Sequence, residues 1–163
     1  MIFVTVGTHE QPFDRLLKKI DGLIESGDIT ESVFIQTGYS DYVPKFAKSK
    51  QFLSNIEMEK NIDEARIVIT HGGPASFLSV LSKGKIPIVV PRLLKFNEHV
   101  NNHQVVFAEK VVNKGYPIKL VTNIDDILSF IEEYKENDME RQYNSHNEKF
   151  VADFSHIIVN MVR

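Results

Sequence analysis

The sequence predicts an α/β domain, a mostly parallel, Rossmann-like sheet with helices on both faces. Three observations predict it. Short runs rich in Val and Ile alternate with stretches whose apolar residues fall at helical spacing. The Val/Ile runs lack polar alternation, as strands covered on both faces require. Most of them stop abruptly at Gly, Pro or a small polar residue. The 163 residues suffice for one such domain and are few for two, so 1–163 reads as a single unit.

The elements follow in order. Ile2 to Val6 is a buried strand, broken by Gly7-Thr8-His9-Glu10-Gln11-Pro12. Phe13, Leu16, Leu17, Ile20, Leu23 and Ile24 then form one helical stripe, with Asp14, Lys18 and Asp21 on the opposite face. Val33 to Gln36 is a second strand, closed by Thr37-Gly38-Tyr39-Ser40. Residues 41–57 are weakly patterned, and Asn61 to Ala65 reads as a short helix. Arg66 to Thr70 is a strand ending at His71-Gly72-Gly73-Pro74, and Ala75 to Lys83 is a helix stopped by Gly84. Ile86 to Val90 is the next strand, with Pro87 tolerable near its start. Glu98 to Lys114 reads as a helix, Ile118 to Val121 as a short strand, and Asn123 as the cap of a helix through Tyr134. Phe150, Phe154, Ile157, Ile158 and Met161 predict a final amphipathic helix over 148–162.

Composition excludes several classes. Apolar residues make up 42% and charged residues 25%, as in ordinary globular chains. The net charge of −3 and the pI near 6.1 leave no basic footprint for duplex nucleic acid. The absence of cysteine excludes disulfides and thiolate metal sites and suits a reducing cytoplasm. No basic leader precedes a long apolar run, and no stretch approaches the ~18–20 apolar residues of a spanning helix.

In such sheets ligands bind beyond the carboxyl ends of the strands. The loops there are 7–12, 37–42, 71–74 and 91–98, and His9, His71, His99 and His103 lie in or just after them. Gly7-Thr8 can bring backbone N–H groups to an anion at a helix start, or simply make a tight turn. It matches neither a dinucleotide fingerprint nor a triphosphate loop. His71-Gly72-Gly73-Pro74-Ala75-Ser76 offers small residues, a hydroxyl and an imidazole directly before a helix, suited to a diphosphate or ribose; a plain left-handed turn is the other reading. Arg92, after a strand, is placed to meet phosphate charge. Glu98 with Asn102, and His99 with His103, pair at (i, i+4) and so share helix faces able to hold sugar hydroxyls. The histidine pair alone lacks a third metal ligand, so no metal or other cofactor is expected.

Taken together, VGTHEQPFDRLL, QTGYS, ITHGGPASF, GKIPIVVPR and EHVNNHQ, in this order and spacing, resemble the soluble subunit of split family 28 glycosyltransferases of bacterial capsular and exopolysaccharide biosynthesis. The soluble subunit of the eukaryotic two-piece transferase that adds the second N-acetylglucosamine to dolichol diphosphate is similar. The resemblance implies the carboxyl-terminal half of a GT-B enzyme, which binds a UDP-sugar donor. It places Gly7, Thr8 and His9 near the diphosphate, with Thr37 and Gly38 in the same loop set. It matches the family's histidine-glycine turn to His71, Gly72, Gly73 and Ser76, and its donor-sugar pair to His103 and Gln104. Relatives carry a ribose-binding glutamate where Ser79 stands here, which leaves Glu98 as the substitute. The resemblance further implies inversion without a metal, with His9 or the partner supplying the general base. It implies a membrane-anchored partner subunit that brings a polyprenyl-diphosphate-linked sugar acceptor. The chain would be cytoplasmic, held peripherally at the inner face of the plasma membrane, with the 148–162 helix docking on the partner. The transferred hexose would be galactose in a β-1,4 link. A non-catalytic UDP-sugar-binding regulatory subunit and a flavodoxin-like interaction domain are the alternatives; clustered acids at the strand ends, which a phosphoacceptor needs, are absent.

Overall fold

In the computed structural model, residues 1–136 are described, with Ala152 and His156 alone beyond them. Six parallel strands form one sheet in the order β3-β2-β1-β4-β5-β6. They are β1 (Ile2–Thr5), β2 (Val33–Gln36), β3 (Lys48–Lys50), β4 (Ile67–His71), β5 (Ile88–Val90) and β6 (Lys119–Leu120). The helices are α1 (Asp14–Glu25), α2 (Asn55–Glu64), α3 (Pro74–Ser82), α4 (His103–Asn113) and α5 (Ile127–Glu136). Val4 pairs with Ile35 on one side and Ile69 on the other. The direction of winding therefore reverses between β1 and β4, which opens a crevice at their carboxyl ends.

Strand alternation sends Ile2 and Val4 to one face and Phe3 to the other. On the first face Leu16, Leu17 and Ile20 of α1 and Ile127 and Ile131 of α5 pack on Val4, Ile69 and Ile88. On the second, Ile62 and Val80 pack on Phe3 and Val68, and Phe77, Phe107 and Val111 on Val89. The expected fold class is thus the observed one.

Four local readings are corrected. Residues 41–57 are organised by two carboxylates of α1. Asp14 accepts from the N–H groups of Asp41 and Tyr42. Asp21 accepts from the Lys45, Phe46 and Ala47 N–H groups and the Tyr42 hydroxyl. Asp21 is therefore buried rather than part of a solvated face. Burial alone would raise its pKa, but these hydrogen bonds outweigh that and lower it. The short helix predicted at 61–65 is α2, which starts six residues earlier, at Asn55. Its signal is Ser54-Asn55-Ile56-Glu57, a capping box in which Ser54 Oγ accepts from Glu57 N–H and Glu57 accepts from Ser54 N–H. The helix predicted from Glu98 starts only at His103, and a 3-10 turn over Leu94–Phe96 precedes it. The (i, i+4) pairing of Glu98 with Asn102 and His99 with His103 therefore does not exist. Asn123 opens a 3-10 turn, accepting from Asp125 N–H, before α5 begins. The predicted 148–162 helix lies outside the described residues. Among the described residues no helix is long and apolar enough to cross a membrane.

Candidate functional site

The loops after β1, β2, β4 and β5 converge on the crevice, and glycine makes their contact possible. Gly7 turns the chain at φ 76° immediately after the β1 run. Gly38, at φ 55°, lies against it so closely that a Cβ there would meet the Gly7 carbonyl oxygen at 2.5 Å. The imidazole of His71 sits between Gly7 and Gly73. A Cβ on either glycine would run into that ring. The space left by both missing side chains is filled by His71, so these glycines serve the histidine first and backbone–anion approach second.

His71 is 8% exposed, and its Nδ1 is enclosed without a hydrogen-bond partner. Its Nε2 lies 3.5 Å from Ser76 Oγ. Burial, and then the Arg92 charge, pull its pKa to about 3, so the ring is neutral at physiological pH. A neutral ring donates at only one nitrogen.

Three predicted contacts are redirected inward. Arg92 follows β5 but is 0% exposed, so it does not stand at the loop surface to meet phosphate directly. It donates to the carbonyls of Gln11 (2.6 Å), Glu98 (3.1 Å) and Val6 (2.7 Å) and lies over the Phe13 ring. Burial lowers its pKa to about 10 against the offsetting charge of Glu98, which leaves it a cation beneath the loops. Glu98, 3% exposed, forms a two-pronged pair with Arg15 (2.7 and 2.9 Å) and accepts from Leu93 N–H. Buried and held by these three donors, its carboxylate is directed beneath the loops and is not presented to a ligand in the crevice. Gln104 Oε1 accepts from Gly72 N–H and Arg92 N–H, both at 3.0 Å. It ties the β4 and β5 loops together, and the Gly72 N–H is no longer available to a ligand.

The remaining histidines separate. His9 stacks on His99 with ring centroids 4.5 Å apart at 15°. Burial first, then the neighbouring His9 and Arg92 charges, lower the His99 pKa. His103 opens α4 and is exposed. Thr8 is also exposed, and Thr37 is bonded through its N–H to the Lys50 carbonyl. The structure thus brings Gly7, His9, Gly38, His71, Gly73, Ser76 and His99 to the crevice. Arg92 and Gln104 support it, Glu98 lies beneath it, and His103 stands at its rim.

One feature was not legible in the sequence. A cleft of about 260 Å³ opens between the amino-terminal halves of α2 and α3. Asn55, Met58 and Glu59 line one wall and Ala75, Ser76 and Ser79 the other. Ser79 donates to the Ser76 carbonyl at 2.7 Å, so it can only accept from a ligand. Glu59 is exposed and makes no hydrogen bond or ion pair among the described residues. Gln11, Arg15 and Gln36 were also missed. Gln36 donates to the Gly7 and Gln51 carbonyls and accepts from Thr5 Oγ1, which braces the first turn. Among the described residues no three His, Asp or Glu side chains converge as a metal-ligand set.

This arrangement defines an α/β domain whose glycine and histidine loops converge at the strand-order reversal, with a cleft of about 260 Å³ between α2 and α3 beside them. The chain belongs to the glycosyltransferase family 28 C-terminal domain family, whose model matches residues 1–158. It is 31% identical over 125 residues to the UDP-N-acetylglucosamine transferase subunit ALG13 of Mus musculus, covering 70% of this chain. It is 32% identical over 126 residues to that of Homo sapiens, covering 71%. The chain spans only 10% of the length of each of these two relatives. Acinetobacter baumannii MurG is similar in fold, with a TM-score of 0.57 at 16% identity, over 93% of this chain and 48% of that one.

Proposed function

We propose that this chain binds the UDP-sugar donor of a glycosyltransferase and acts as one subunit of it. The observation that carries the reading is the start of α3. No side chain caps it, Pro74 occupies its first turn, and it faces the α2–α3 cleft beside a neutral, buried His71. Such a helix end attracts a diphosphate. The nucleoside lies in the cleft, where Glu59 accepts from the ribose hydroxyls in place of Glu98. As the bond from the anomeric carbon to the phosphate oxygen breaks, its electron pair stays on the diphosphate. The α3 amides beyond Gly72 and the Arg92 charge beneath them stabilise that anion. An acceptor hydroxyl attacks from the opposite face, and its proton passes to His9. No metal is needed for this, because the charge is met by protein dipoles and a cation.

The acceptor site belongs to a membrane-anchored partner subunit carrying a lipid-linked sugar. The relatives are named as subunits, which supports a partner. The finer reading is a β-1,4-galactosyl transfer in capsular or exopolysaccharide synthesis at the plasma membrane. The relatives' names instead carry N-acetylglucosamine, so competition among UDP-galactose, UDP-glucose and UDP-N-acetylglucosamine for the bound site decides the donor. Calorimetric titration of the chain with UDP, in EDTA, is the primary test. Saturable binding that weakens at least tenfold in Glu59→Ala is expected. No binding at millimolar UDP, or binding restored only by manganese, would overturn the proposal.

A further inference from the structure

His9 does not stand alone. Its Nε2 lies 2.8 Å from Gln11 Oε1, and the Gln11 amide nitrogen donates to the Asn97 carbonyl at 3.3 Å. The second bond fixes which end of the amide faces the histidine. An amide oxygen only accepts, so His9 Nε2 carries the proton. The lone pair then sits on Nδ1, which has no partner among the described residues. His99 closes one face of the ring by stacking. Asn97 holds its carbonyl in place from a left-handed turn at φ 56°, the one non-glycine residue at positive φ among those described.

We propose that Gln11 and His99 are positioning residues that make His9 Nδ1 the proton acceptor of the transfer reaction. The inference rests on the glycosyltransferase reading above. The acceptor hydroxyl proton would move to Nδ1 as the new carbon–oxygen bond forms, and the departing diphosphate keeps the pair of the broken bond. Gln11 Oε1 then accepts from the Nε2–H of the resulting imidazolium, whose charge lies over the π-face of His99. The charged and titratable groups near the histidine pair are His71, Arg92 and His103, with the Glu98 carboxylate paired to Arg15 beneath them and Glu10 exposed beside His9 in the chain.

The test uses NMR titration of the His9 ring in the chain, and kinetics in its active assembly. In Gln11→Glu the new carboxylate should raise the His9 pKa by about one unit. The acid limb of the kcat profile should move with it. Gln11→Leu should lower kcat about tenfold with donor KM within about twofold, since orientation and not binding is lost. His99→Phe should preserve the His9 titration and His99→Ala should not. Protonation of wild-type His9 at Nδ1, or an unmoved titration in Gln11→Glu, would overturn the relay. Unchanged turnover in His9→Ala would instead remove His9 as base, and with it the reading of the reaction rather than of the hydrogen bonds.

Discussion

Two helices begin side by side at the crevice, and they begin differently. The amino end of α2 is sealed by its own side chains. Ser54 and Glu57 exchange hydrogen bonds with each other's backbone, and Lys50 pairs with Glu57 at 2.6 Å. That pairing, with the Ser54 bonds next, holds the Glu57 carboxyl at about 2, so it stays an anion over the helix end. The amino end of α3 has glycine at its cap, proline in its first turn and no acid of its own in that turn. Both helices carry the same dipole, although in α3 Pro74 brings no N–H and the Ser76 N–H already reaches the Gly73 carbonyl at 3.1 Å. One end is neutralised internally and the other is not. On the donor-binding reading proposed above, that difference marks where the diphosphate belongs.

The largest test of that contrast is Gly73→Ala. The added methyl runs into the His71 ring, which is already confined by Gly7 on its other side. Overpacking of this kind costs about 1–3 kcal/mol of stability, and the α3 amides would turn away from their present direction. UDP affinity should fall at least thirtyfold by calorimetry. Gly27→Ala is the control, because its Cβ would meet open space despite φ 82°, and it should cost about 1 kcal/mol with affinity intact. Equal affinity in both variants would mean that the open helix end is not where the diphosphate binds.

The same contrast explains what the sequence could reveal. Strand runs, their glycine breaks and the α1 stripe are local periodicities, and they read correctly. The capping box at Ser54–Glu57 was also local and could have placed α2, but the weak pattern before it hid the helix. Arg92 and Glu98 were misplaced for another reason. Their environments are built from partners 86 and 83 residues away in the chain, the Val6 carbonyl and Arg15. Periodicity carries no information about such pairs. It reads a charged residue in a loop as solvated, although three carbonyls or a guanidinium can draw it inside. Glycine spacing, likewise, marked the right turns for an incomplete reason: the ring that occupies the space comes from His71, whose burial no local pattern announces.

That burial makes the open end sensitive to acid. His71 titrates near 6.5 when unfolded and at about 3 in the folded chain. The unfolded state therefore binds the extra proton as pH falls below 6.5, and the folded state resists it down to about 3. Stability is complete above 6.5 and declines toward acid, by about 2 kcal/mol between pH 6.5 and 5. His99, lowered in the same direction, adds to the slope. The lowered carboxylates Glu31, Asp21 and Glu57 act the same way, but only below their ordinary range near 4, so this window isolates the histidines. Urea midpoints measured at pH 7 and 5 should differ markedly in the native chain and much less in His71→Gln. An equal difference in both would show that the ring is not held neutral between the two glycines.

The smallest effect is expected at the sealed end, and its smallness is the point. Glu57→Ala removes half of the capping box and the partner of Lys50. Because Glu57 and Lys50 are both well exposed, the ion pair itself contributes little, and the loss should come mainly from the Ser54 N–H left without its acceptor. A small loss of stability should follow, read as a slightly lower urea midpoint. UDP affinity should stay within about twofold, since the cleft is lined by Asn55, Met58 and Glu59 and not by Glu57. Uncapping α2 also creates a second open helix end beside the first. A weak new phosphate site in this variant, detectable as a second binding phase in the titration, would show that occupancy by Glu57 is what keeps anions from α2 in the native chain. A large loss of UDP affinity would mean instead that the two helix ends act together on one ligand, and the division of roles between them would have to be redrawn.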